Sequence, residues 1–266
     1  MKIRFLIAGL IVCASTAAQA AEPLTESTFT EIIKQANVVA AADKAVKPAK
    51  VSEVFRVPDL VRTGSDSRLE MTAPDQTVTR VGENSVFTFE PGERSVRLEK
   101  GSILFHPPAG TGGGTVRYGG TAAAVLGTTM ICAVLTNHSF KIFVVEGEAT
   151  VTLANGKSVQ LGAGQMLIVS PDGDSFGSVM DVHLGKLAAN LLLITGFSDT
   201  LSSMPLIEAA IQLQNEQIAE GKEFHFASLQ VAGDGLELIF GKISAAFRQA
   251  LLNAPNQTTF YISPVQ

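Results

Sequence analysis

Between residues 51 and 171 the chain is a succession of short runs: SRLEM, TVTRV, SVFTF, SVRLE, SILF, TVRY, MICAVL, KIFVV, ATVTL, SVQL and MLIVS. Many alternate apolar and polar residues, and the stretches between them hold Gly, Pro, Asn or Asp. Period-two alternation broken by turn residues every ~8–12 positions restricts the region to an all-β unit, a sandwich, barrel or solenoid. In VTLANGKSVQL, Asn155-Gly156 separates two alternating runs, the strongest short-range signal for a hairpin. A faint internal echo accompanies the runs. Glu99-Lys100-Gly101 leads into SILF and Val145-Glu146-Gly147 into EATVTL; two copies do not establish a repeat, but they suit stacked hairpins or rungs.

The flanks have another texture. Residues 1–20, MKIRFLIAGLIVCASTAAQA, join a basic start (Lys2, Arg4) to an apolar run over residues 5–14 and a small-x-small close at Ala18-Gln19-Ala20. This reads as a secretory signal peptide cleaved near Ala20, since the run is shorter than the ~20 residues of a membrane-spanning helix. Cys13 sits inside the run after Val12, which rejects a lipid-modified cysteine. Residues 21–50 place Phe29, Ile32, Ile33 and Asn37 at roughly helical spacing before Pro48, which predicts a short helix and a linker. Beyond residue 171, LGKLAANLLLITGF, LIEAAIQLQNEQIAEGK and LIFGKISAAFRQALLNA carry helical spacing. In the second, Ile207, Ala210, Ile211 and Leu213 are expected along one side, with Glu216 and Glu220 towards water. The reading is therefore mainly β. It comprises the signal peptide (1–20), a helical segment and linker (21–50), an all-β domain of stacked hairpins, solenoid-like or sandwich-like (51–171), and a mainly helical C-terminal region (172–266).

Apolar residues make up 46% and charged residues 17% of the chain, enough for a packed core. Loss of Lys2 and Arg4 with the leader takes the formal net charge from −5 to −7, which argues against nucleic-acid phosphates as partners. Cys132 alone would remain, so no internal disulfide is expected. Between Ile131 and Ala133 it reads as a core residue.

Motifs for chemistry fail on context. Gly110-Thr111-Gly112-Gly113-Gly114-Thr115 lacks the lysine of a phosphate loop and precedes a strand, so it reads as a flexible loop after Pro107-Pro108. Gly173-Asp174-Ser175-Phe176-Gly177 fits G-x-S-x-G, with His183 and His225 downstream as candidate bases. A nucleophile elbow, however, needs a parallel sheet, and the region is built of hairpins. His106, His138, His183 and His225 show no paired spacing for a metal. With no Trp and only Tyr118 and Tyr261 besides Phe, flat rings for sugar stacking are few.

In order, RTGSDSRLEM, RVGENSVFTF, VRLEKGSILF, AAVLGTTMICAV, IFVVEGEATVTL and VQLGAGQMLIVS resemble the FecR domain, the periplasmic part of iron-transport regulators that act on sigma factors. The resemblance spans roughly residues 55–170. Its most specific pieces are Gly127-Thr128, Glu146-Gly147 and Gly162-Ala163-Gly164-Gln165, each ahead of a strand. It implies that Gly127-Thr128-Thr129 marks a bend between strands and carries no catalysis. Family regulators begin with a cytoplasmic helical segment that holds the sigma factor. Few residues precede the apolar run here, so that segment is not expected. The C-terminal segment also departs from the small β-α signalling module that ends those regulators. VVEGEATVTLANGKSVQLGAGQMLIVSPDG is similar to a cupin as well, without that family's cluster of metal-binding His and Glu.

These features predict an exported, non-enzymatic FecR-domain protein that binds another envelope protein, a receptor or membrane regulator, in signalling or surface organisation. The alternatives are a polysaccharide- or peptidoglycan-binding structural protein and a serine hydrolase using Ser175. No cofactor, metal or transmembrane segment of the mature chain is expected. Exposed strand edges, the loop over residues 109–114 and the C-terminal helices are the expected contact regions.

Overall fold

The computed structural model describes residues 22–224 and the strand residues 228–232 and 235–239. In chain order the first strands are β1 (Glu26–Ile33), β2 (Ala36–Val39), β3 (Val46–Pro48), β4 (Val54–Arg56), β5 (Leu60–Thr63), β6 (Arg68–Thr72), β7 (Val78–Val81) and β8 (Val86–Phe89). The long β9 (Ser95–His106) follows, then β10 (Gly114–Tyr118), β11 (Thr121–Val125), β12 (Thr129–Val134), β13 (Phe140–Glu146), β14 (Glu148–Thr152), β15 (Ser158–Gly162), β16 (Gln165–Val169) and β17 (Met180–Asp181). Three helices come next, α1 (Leu184–Asn190), α2 (Leu192–Thr195) and α3 (Met204–Ala219), and then a hairpin of β18 (Ser228–Ala232) and β19 (Gly235–Ile239).

Strands β1–β17 pair into two sheets joined through β9. One sheet runs β4-β1-β6-β7-β9-β12-β13-β16-β17. The other runs β3-β2-β5-β8-β9-β10-β11-β14-β15. All pairs are antiparallel except β9 with β10. The first half of β9 pairs with β8 and β10, and its second half with β7 and β12. SVRLE and SILF are thus one strand that changes sheets at Gly101. The hairpins β12–β13 and β16–β17 stack in one sheet, and β10–β11 and β14–β15 in the other. The result is the stacked-hairpin fold in its sandwich form.

The sheets pack face to face over one core, to which Phe29, Leu69 and Phe140 contribute from one side and Val61, Phe87 and Val151 from the other. Phe29, Phe55, Phe89 and Phe87 form a chain of ring contacts within it, the first tilted and the other two edge-on. The second face of the first sheet is covered too. Leu104, Ile131, Phe143, Val145, Met166 and Ile168 pack there against Leu184, Leu187, Leu193 and Ile207 of the helices. This explains a difference in texture between runs. MICAV, FKIFVVE and QMLIV are nearly continuous because both of their faces are buried, whereas EATVT and SVQLG alternate because one face meets water. The two sheets are called below the covered and the open sheet.

Gly101 and Gly147 mark crossings between the sheets, with φ of +82° and +78°. A Cβ on Gly101 would meet Ser85 Cα at 2.5 Å, and one on Gly147 would meet Thr128 Oγ1 at 2.5 Å. Only glycine fits both the left-handed backbone and the close approach. The echo between EKG and VEG therefore records two sheet-crossing corners. The Asn155-Gly156 hairpin forms as expected: Leu153 N–H donates to Lys157 C=O across the turn, and Gly156 has φ +82°.

Three expectations need correction. Residues 21–50 hold no helix among those described. Residues 26–33, 36–39 and 46–48 are strands that complete both sheets. In β1 the β-branched Thr28, Thr30, Ile32 and Ile33 favour extension, and a bulge between Phe29 and Glu31 shifts the alternation into apparent helical spacing. On α3, Leu213 is exposed and Gln214 turns inward, because positions 207, 211 and 214 complete the buried stripe. The helices over LGKLAANLLLITGF and LIEAAIQLQNEQIAEGK form, but the third expected helix begins in strand β19 at residues 238–239, and the rest of it lies outside the described residues.

Candidate functional site

The bend at Gly127-Thr128-Thr129 is the busiest junction of the described chain. Thr128 Oγ1 donates to Glu148 C=O at 3.0 Å and accepts from Glu148 N–H at 3.2 Å, fastening the start of β12 to the start of β14. Thr129 Oγ1 turns to the helix side, 2.7 Å from Glu146 Oε1, 2.7 Å from Ser203 Oγ and 3.0 Å from His106 Nδ1. One arrangement satisfies all three: the hydroxyl donates to Glu146 and accepts from Ser203 O–H and His106 N–H. His106, Thr129, Glu146 and Ser203 are each no more than 6% exposed. Burial lowers the His106 pKa and raises that of Glu146. The threonine hydroxyl does meet an acid and an imidazole, which come from residues far away in the chain. Their enclosure makes the group a link between the strand corners and the start of α3.

A second junction anchors the helices. Arg80, wholly buried, donates from Nε to Glu70 Oε2 at 2.7 Å and from its other nitrogens to Ile194 C=O at 2.8 Å and Asp199 C=O at 2.7 Å. Its guanidinium lies 4.4 Å from the Phe197 ring centroid, and Thr30 donates to the other oxygen of Glu70. Glu31 accepts from Ser198 N–H at 2.9 Å. Between α1 and α3, Gln214 accepts from Leu184 N–H and donates to Val182 C=O, both at 2.9 Å. Sequence reading passed over Arg80, because an arginine in TVTRV looks like the polar half of a half-wet strand.

Lys141 is buried on the helix side of β13, and its pKa is pushed down to about 7 by burial. Cys132 is a buried core thiol whose pKa burial raises.

The other expected features fall in different places. The loop between β9 and β10 is tied at its far end: Arg94 donates from Nε to Gly113 C=O at 2.7 Å and from a terminal nitrogen to Asp75 at 2.6 Å. A Cβ on Gly127 would lie 3.0 Å from Ala109 Cα, so the loop borders the β11–β12 corner, where Leu126 is 72% exposed. Ser175 lies in a turn between β16 and β17. Its hydroxyl donates to Ser170 Oγ at 2.9 Å, and Phe176 bridges back to Val169. The strand-to-helix elbow expected of a nucleophile does not form there, since α1 begins only at Leu184. His106 ends β9, His138 lies in the β12–β13 turn, His183 stands at the position before α1 without a side-chain capping bond, and His225 lies outside the described residues. Among the described residues no group of three or more His, Cys, Asp or Glu side chains could hold a metal ion, and no helix is long and apolar enough to cross a membrane.

The family model described as "FecR protein" matches residues 59–150, from the start of β5 into β14. β1–β4 and β15–β17 complete the two sheets from outside the matched residues. No curated protein matches the chain. Two crystal structures of a candidate anti-sigma factor from Parabacteroides distasonis ATCC 8503 align with it, each at 15% identity and a TM-score of 0.39. Each alignment covers 69% of this chain and 99% of the other, a likeness too distant to carry function across.

Proposed function

We propose that this chain is an exported, non-enzymatic FecR-type regulator that acts by binding another envelope protein, a receptor or a membrane-bound regulator. The observation that carries the reading is the FecR match over residues 59–150. The exposed side chains point the same way. Leu206 and Leu213 are 52% and 55% exposed, one heptad apart on the water side of α3, and such a pair suits helix-to-groove docking. Leu126 offers a second apolar contact beside the loop between β9 and β10. The leader over residues 1–20 supplies the export signal.

The test is crosslinking in intact cells with a tagged full-length chain, followed by mass spectrometry of what it captures. Enrichment of an outer-membrane receptor or membrane-bound regulator is the expected result. Capture of abundant envelope proteins alone, or retention on peptidoglycan, would replace this reading with a structural one. Fluorophosphonate labelling lost in Ser175→Ala would replace it with hydrolysis.

A further inference from the structure

The sandwich has four edge strands among the described residues, and three are guarded. β3 holds Lys47 and Pro48, β4 is three residues long and ends in Arg56, and β17 is two residues long. Short length, charge and proline are the devices that keep sheet edges from pairing. β15, Ser-Val-Gln-Leu-Gly over residues 158–162, has none of them.

Its free side follows from the hairpin register. Leu153 N–H donates to Lys157 C=O, and Val151 lies opposite Val159 and Ala149 opposite Leu161. Hydrogen-bonded pairs recur every second residue, so Val159 and Leu161 direct their main-chain groups to β14. Ser158 and Gln160 direct theirs away from the sheet. Gly162 N–H, next in that series, is taken by its own chain, by Gln165 Oε1 at 3.0 Å. Among the described residues the free edge therefore consists of Ser158 and Gln160, placed symmetrically about Val159.

We propose that this edge pairs with the same edge of a second copy, joining the two open sheets into one antiparallel sheet across a twofold axis at Val159. In that register Ser158 of each copy lies opposite Gln160 of the other, and both exchange N–H and C=O. Val159 of one copy faces Val159 of the other in the non-hydrogen-bonded position, where Cα atoms lie about 4.5 Å apart. Val159 is partly buried against the sandwich core, so pairing removes its remaining apolar surface from water. Lys157 falls opposite Leu161, and no like charges meet. The edge is complementary to itself, the requirement of an isologous dimer.

Sedimentation of the full-length chain tests this. The expected species has twice the 28.0 kDa of one chain. Gln160→Pro removes an N–H that points away from β14, a position where edge proline is tolerated, and should sediment as a monomer with an unchanged circular dichroism spectrum. As a second readout, Val159→Cys should form an interchain disulfide on oxidation, above the level given by Cys13 and Cys132 in the unaltered chain. A monomer at every concentration with no added crosslink overturns the proposal. So does a dimer that Gln160→Pro leaves intact.

Discussion

Arg80 and Glu70 meet at 2.7 Å, with the arginine side chain wholly enclosed and the glutamate side chain 11% exposed. The pair sits between the covered sheet and the helices, and the remaining guanidinium donors take the carbonyls of Ile194 and Asp199. Attachment of the helical layer rests on this one side chain more than on any other polar group described. Removing one partner of a buried ion pair typically costs about 3–5 kcal/mol, because the other charge stays behind unpaired. Arg80→Ala should lower stability by that order, measured as a shift in urea midpoint. A loss below about 1 kcal/mol would place the pair with exposed ion pairs of little consequence.

The sheet crossings predict a contrast among glycines. Gly147 and Gly156 share a left-handed φ, but a Cβ on Gly147 would meet Thr128 Oγ1 at 2.5 Å, and one on Gly156 meets nothing within 4 Å. Gly156→Ala should cost about 1–2 kcal/mol, from backbone strain alone. Gly147→Ala should cost clearly more and disturb the Thr128–Glu148 bonds. Equal melting temperatures for the two variants would contradict the crowding at the corner.

Glu146 and His106 give opposite pH dependences. Burial raises the folded-state pKa of Glu146, so the folded state holds its proton more tightly, and stability falls as pH rises from about 4.5. Burial lowers the His106 pKa, so the unfolded state binds the proton first, and stability falls as pH drops below about 6.5. Glu146→Gln should remove the first limb, gaining stability relative to the wild type as pH increases from about 4.5 upward. Parallel curves for the two proteins would show that Glu146 does not titrate with folding.

Lys141 works in another window. Its folded-state pKa of about 7 lies below the ordinary 10.5, so stability should rise between those values as the unfolded chain gives up its proton. Chemical denaturation from pH 7 to pH 10 should show that rise in the wild type and a flatter profile in Lys141→Met.

Most strands were legible because burial on one face prints itself as alternation, and Asn155-Gly156 named its own turn. Legibility failed where another constraint reset the pattern. A bulge after Phe29 gave β1 a helical look, and a sheet change at Gly101 made one strand read as two. Leu213 shares the apolar character of the buried stripe yet faces water, because α3 turns a second apolar stripe, Leu206 and Leu213, outward. The His106, Thr129, Glu146 and Ser203 cluster was out of reach in principle. Its members come from β9, β12, β13 and the residue before α3, and only the pairing of β9 with β12, and of β12 with β13, brings the first three together. Arg80 differs from an exposed arginine only through the helices that cover Val78 and Leu104 on the same face.

Photo-crosslinking from position 213 in intact cells tests the central claim most directly. A photoreactive residue in place of Leu213 should capture one discrete receptor or membrane regulator, and Leu206→Glu in the same chain should abolish that capture while the sandwich stays folded. Capture spread over abundant envelope proteins, and unchanged by Leu206→Glu, would contradict a regulator that binds through α3.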